Sequence, residues 1–110
     1  MPGVARRKPS PRTERREHER AAEKLARDRV RLAKLEPGGD RARPVEVESA
    51  SQVEPHALGL PCCRCGGALR LVEHAALTVD GDRLRVARMV CPACRTPREA
   101  WFRLAPRLPN

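Results

Sequence analysis

Aromatic residues are almost missing from this sequence: no tyrosine, one tryptophan and one phenylalanine in 110 residues. Rings supply much of the area that a small core buries, so a large core is excluded. No apolar run is long enough to span a bilayer, which excludes a membrane-spanning helix as an organising element. Met1 to Ala22 lacks the apolar stretch of a signal peptide, and Arg6-Arg7 is not followed by one. An intracellular, cytoplasmic location is therefore expected. Lysine is scarce, at three of the 23 basic residues. Also absent are a nucleophile–base–acid triad, a carboxylate pair and a glycine-rich phosphate loop, so the chain is not expected to be an enzyme.

Charge, proline and cysteine are abundant. The chain carries 11 prolines, a charged fraction of 34% and a net charge of +9. The excess is uneven: residues 1–44 hold 14 Lys+Arg against 7 Asp+Glu, whereas residues 45–110 hold 9 against 7. A basic half of this kind favours polyanions or an acidic protein surface. The plainer alternative is a GC-rich coding sequence, which enriches Arg, Ala and Pro without selection for binding.

Residues 1–12 are rich in Arg and Pro with little to bury, and are expected to form a disordered basic arm. An amphipathic helix is expected over 13–36, starting near Ser10 or Thr13. Ser10 can cap it with Pro11 in the first helical position, and Pro37 and Gly38-Gly39 end it. Leu25, Leu32 and Leu35, with Ala21, Ala22, Ala26, Val30 and Ala33, share one broad side. Arg16, Arg20, Lys24, Arg27, Arg31 and Lys34 fall within an arc of about 80° opposite. This basic stripe is either a solvated face or a track for phosphates. The like-charge neighbours Arg16–Arg20, Arg20–Lys24 and Arg27–Arg31 weaken an isolated helix slightly, and bound phosphates would relieve them. Glu23 offers Arg27 a local partner. Positions 18, 21, 25, 28, 32 and 35 follow heptad spacing, but His18 and Asp28 spoil the seam.

Residues 37–60 read as a linker with a short extended piece at Val45–Val47. A capping box at Ser51–Glu54 suggests one helical turn, cut short by Pro55. From Pro61 the pattern alternates. Strands are expected at Ala68–Val72, Ala75–Val79, Arg83–Val90 and Glu99–Leu104, with a hairpin turn at Asp80-Gly81-Asp82. Leu84, Val86 and Val90 are expected on one face of the third candidate, Arg83 and Arg85 on the other. Trp101 and Phe102 should point to opposite faces, one of them covering the core. The tail over 105–110 should fray.

The chain's chemistry lies in its five cysteines. Cys62 and Cys65 form one C-x-x-C pair, and Cys91 and Cys94 form another. In a reducing compartment two such pairs point to a metal rather than to disulfides. Zinc takes four ligands in a tetrahedron and favours thiolates, and one tight turn can present two of them. Gly66 eases the first turn, and Pro92 stiffens the second. Iron on four thiolates is the alternative ion. A redox dithiol would need a βαβ setting that the pattern lacks.

Cys62-x-x-Cys65-Gly66-Gly67, a hairpin, then Cys91-Pro92-x-Cys94 and a closing strand resemble the zinc-ribbon class over residues 61–104. The resemblance implies a three-stranded antiparallel sheet clamped at one end by Zn(2+) on Cys62, Cys65, Cys91 and Cys94. Many ribbons carry Gly where this chain has Arg95. The expected fold is thus small α+β, with the basic helix followed by the ribbon sheet. Cys63 reads as a free thiol beside the first turn, with a competing ligand role as the alternative. His74 reads as a surface or hydrogen-bonded side chain.

The function expected from these features is an accessory zinc-binding module. It would contact nucleic acid or a nucleoprotein assembly through Arg16, Arg20, Lys24, Arg27, Arg31 and Lys34. A protein–protein adaptor with the ribbon as scaffold is the other reading. Neither a membrane nor a small-molecule substrate is expected as partner.

Overall fold

The computed structural model describes residues 10–106. Most of the basic arm expected over residues 1–12, and most of the tail beyond Ala105, lie outside the described residues. Helix α1 spans Pro11–Ala33. Ser10 caps it: its hydroxyl oxygen accepts from the Thr13 N–H at 3.2 Å, and Pro11 fills the first helical position. The chain then turns through Gly38, whose φ is +81°. A Cβ at Gly38 would lie 3.1 Å from Val45 and 3.3 Å from the Trp101 carbonyl oxygen. Glycine here lets the chain run close against the last strand, and the Trp101 N–H donates to the Gly38 carbonyl.

The sheet has four strands in mixed orientation, where three antiparallel strands were expected. They are β1 (Val45–Val47), β2 (Arg70–Val79), β3 (Asp82–Val90) and β4 (Pro97–Leu104), in the order β1-β4-β3-β2. The additional strand, β1, runs parallel to β4, with Val45 opposite Phe102 and Val47 opposite Leu104. The two pieces expected at Ala68–Val72 and Ala75–Val79 are one strand, because Glu73 and His74 pair with Arg88 and Ala87. An irregularity between Leu71 and Glu73 absorbs one residue. Val79 pairs with Asp82, so Asp80-Gly81 is a two-residue turn, both residues having positive φ.

Helix α2 (Val53–Leu58) follows a short 3-10 turn at Ala50–Gln52. The stretch expected as a linker therefore supplies core. The cap lies two residues before the expected box: the Gln52 side-chain oxygen accepts from the N–H groups of Glu48 at 2.8 Å and Ser49 at 3.3 Å. Pro55 sits in the first turn of α2, where no N–H is required, and does not stop it.

Val53 and Ala57 of α2 pack with Val47, Leu69, Ala87, Met89, Ala100 and Phe102 into the main core. His56 meets the Phe102 ring edge-on at 5.3 Å between centroids. Leu84, Val86 and Trp101 lie on the opposite face, where Val86 pairs with Trp101 across β3 and β4. They are buried too. Both aromatic residues are thus covered, on opposite faces. The core face of β3 is the one carrying Ala87 and Met89, not the Leu84–Val86 face that the alternation suggested. A central strand covered on both sides does not show a clean polar–apolar alternation.

Candidate metal centre

Two tight turns at one end of the sheet present the cysteines. In the first, the Gly66 N–H donates to the Cys62 carbonyl at 2.9 Å and the Cys62 N–H to the Gly67 carbonyl at 2.8 Å. In the second, the Arg95 N–H donates to the Cys91 carbonyl at 2.8 Å and the Cys91 N–H to the Thr96 carbonyl at 3.0 Å. The two turns repeat one another bond for bond. Each needs a left-handed residue directly after its second cysteine: Gly66 has φ +78° and Arg95 has φ +64°. The arginine that departs from the usual glycine nevertheless adopts the conformation glycine would supply.

The turns bring Cys62, Cys65, Cys91 and Cys94 together, with all four sulfurs within 4.8 Å of one another. Cys62 Sγ lies 3.5 Å from Cys94 Sγ, and Cys65 Sγ lies 3.5 Å from Cys91 Sγ. A zinc ion about 2.3 Å from each of four sulfurs in a tetrahedron sets sulfur–sulfur separations of about 3.8 Å. The donor set and its spacing therefore fit one tetrahedral metal ion. Cys62 and Cys91 are buried, Cys94 is half-buried against the core, and Cys65 is exposed.

A backbone donor and a hydroxyl lie against the sulfurs. The Arg64 N–H lies 3.4 Å from Cys62 Sγ. The Thr96 hydroxyl, on a buried side chain, lies 3.2 Å from Cys94 Sγ. That hydroxyl and the Thr96 N–H lower the Cys94 thiol to about 6. At Cys65 the Gly67 N–H pulls down, but hydrogen bonding with the Cys91 and Cys94 thiols outweighs it and raises Cys65 to about 12. Without a cation the cluster thus divides its protons unequally, because crowded thiolates repel. A metal ion would let all four sulfurs ionise by displacing those protons.

Thr96 and Arg98 were not anticipated as parts of the site. Thr96 stands two residues after Cys94, as Gly67 stands two after Cys65; the repeated spacing was the signal. Arg98 had none. Its guanidinium donates to the Pro61 carbonyl at 2.6 Å and lies 3.7 Å from the Glu36 carboxylate, tying the first turn to the segment that follows α1. Cys63 is outside the tetrad. It lines a cleft between α1 and the turns with Lys34 and Thr96, and burial raises its thiol although Arg98 opposes this. His74 holds Glu54 at 3.3 Å and Arg85 at 3.4 Å.

Five of the six cations of the stripe lie on α1 and the sixth, Lys34, caps its C-terminus; all six are exposed to solvent. None makes an ion pair with another described residue, and the Glu23–Arg27 contact is not formed. Among the described residues no helix is long and apolar enough to cross a membrane. Comparison with protein-family models, with curated proteins and with solved structures finds no match for the chain.

Proposed function

We propose that the protein is a structural zinc protein that contacts nucleic acid, or a nucleoprotein assembly, through the basic face of α1. The convergence of four cysteine sulfurs at tetrahedral spacing supports the zinc assignment. Zinc suits a closed tetrathiolate site, and all four positions are taken by protein, leaving none for a substrate. The protein is accordingly proposed to be a binding module, not an enzyme. Metal analysis of the native protein tests the ion: one zinc per chain is expected, and iron or no metal would refute the assignment.

The nucleic-acid reading rests on Arg16, Arg20, Lys24, Arg27, Arg31 and Lys34, six exposed cations along α1 and its C-terminal cap. Phosphate contacts dominate such binding and make it steeply salt-dependent with little sequence preference. Titration of labelled DNA and RNA at two salt concentrations tests it. Alanine at Arg16, Arg20 and Lys24 should weaken binding and flatten the salt slope. No binding at low salt, or binding indifferent to these substitutions, would refute it.

One observation favours an adaptor role instead. Leu25, Leu32 and Leu35 are 52%, 59% and 57% exposed, leaving apolar side chains on α1 and just after it available to a protein partner. Nuclease-resistant capture of one stoichiometric protein, abolished by Asp at Leu25 and Leu32, would favour that reading.

A further inference from the structure

The basic surface of α1 does not end on the helix. A cleft of about 380 Å³ separates α1 from the two cysteine turns. Arg27, Arg64 and Arg95 line it together with Ala26, Val30 and Pro97, and its floor reaches Cys94 and Thr96 of the cysteine cluster. The three arginines come from three separate places: the helix, the first turn and the second turn. No carboxylate lines the cleft, and none of the three pairs with a described acidic residue. Arg27 belongs to the stripe as well. A second cleft, with Arg70 and Arg95 among its lining residues, continues the surface beyond the second turn.

Arg95 gives this arrangement a second, independent support. Its φ of +64° is a conformation glycine holds freely, whereas a residue with a Cβ gives up about 1–2 kcal/mol there. Gly66 shows the cheaper solution at the equivalent place in the first turn. A charged side chain held in that conformation, beside a cleft with two other arginines, is a reason to look for its use there.

We infer that the cleft formed by Arg27, Arg64 and Arg95 is a phosphate-binding site, at which the nucleic-acid backbone following α1 is gripped by the metal-held turns. The inference deepens the nucleic-acid reading above and rests on it. Three guanidinium groups around one concavity suit a phosphate diester, because each can offer two N–H donors to its oxygens. The turns fix two of the three arginines, so the grip depends on the same geometry that gathers the sulfurs. A single strand or a duplex would be held by the same chemistry.

The test uses the full chain carrying its metal. Fluorescence anisotropy with labelled single-stranded and duplex oligonucleotides is measured at about 50 and 200 mM salt. The variant R64A/R95G removes two charges, and glycine at 95 keeps the turn unstrained. Binding should weaken by about tenfold or more, and the salt slope should fall by nearly two contacts. Chelator competition in parallel should show undiminished metal affinity. Wild-type binding by R64A/R95G, alongside weakened binding by R16A/R20A/K24A, would overturn the cleft but leave the nucleic-acid reading standing. Failure of the unsubstituted protein to bind either oligonucleotide would overturn both. A loss of metal affinity that accounts for the whole loss of binding would also overturn the cleft. In that case the arginines merely neutralise the thiolates.

Discussion

Helix α1 buries none of its 23 residues, whereas strand β3 buries four of nine. The two elements are ordered by different means. α1 relies on local terms: a side-chain cap, proline in its first turn, and a composition of Ala, Leu, Arg, Lys and Glu with high helix propensity. β3 relies on long-range terms, with neighbours on both edges and cover on both faces. An element with no buried residue keeps most of its surface for other molecules. One buried on two sides can only support a site. Here the sheet supports the sulfur cluster, and the helix exposes charge beside it.

The largest test of that contrast is removal of the metal. Structural zinc contributes roughly 10–16 kcal/mol in small domains, more than so small a core can supply. A strong chelator should therefore abolish amide protection in β2, β3 and β4 while much of the α1 helical signal persists. Intact protection in β3 after complete metal removal would contradict the division. Acid should act the same way. Cys65, raised to about 12, carries a proton at neutral pH that must leave when metal binds. Cys94, lowered to about 6, has already lost its proton above that pH and regains it below. Metal affinity should therefore fall as pH falls, and by about one further proton per ion below pH 6. Competition with a chromogenic chelator across that range measures the change in slope.

A smaller effect is expected from the core itself. Phe102 is fully buried between α2 and the sheet, and Phe102→Ala should destabilise the metal-loaded protein by about 3–5 kcal/mol. Denaturant midpoints followed at the sheet should shift, and the α1 signal should not. Ala22→Pro reverses the experiment. It sits mid-helix and exposed, and should remove about 3 kcal/mol of helix stability. Metal stoichiometry and β3 protection should stay unchanged. Loss of metal from Ala22→Pro would show that α1 is part of the sheet's fold after all.

The same division explains which features were legible in the sequence. The start of α1 was visible because Ser10, Pro11 and Glu14 act within one turn. The cysteine tetrad was visible because each C-x-x-C pair is local and only the meeting of the two pairs is not. The Asp80-Gly81 turn was visible for the same reason. The parallel pairing of β1 with β4 was not, since it joins Val45 to Phe102 across most of the chain and leaves no periodic mark. Glu73 and His74 looked like a gap between strands, because their partners Arg88 and Arg85 stand on the neighbouring strand. The periodicity put Leu25 and Leu32 on one side of α1 but could not say whether that side is covered; both are more than half exposed. The arginine cleft could not be read at all, because Arg27, Arg64 and Arg95 meet only once the turns are folded against the helix.

The smallest expected effect separates stability from use at a single residue. Arg95→Gly relieves a left-handed backbone and should stabilise the second turn by about 1 kcal/mol. Thermal unfolding of the metal-loaded protein should shift upward by a few degrees. Oligonucleotide affinity should shift the other way, because one of three cleft cations is lost. Opposite signs in the two measurements would mean that the turn holds a strained residue for the sake of its side chain. If both rise, or if stability falls, the arginine is no more than a tolerated replacement for glycine, and the contrast between a supporting sheet and an exposed binding helix would lose its one point of contact.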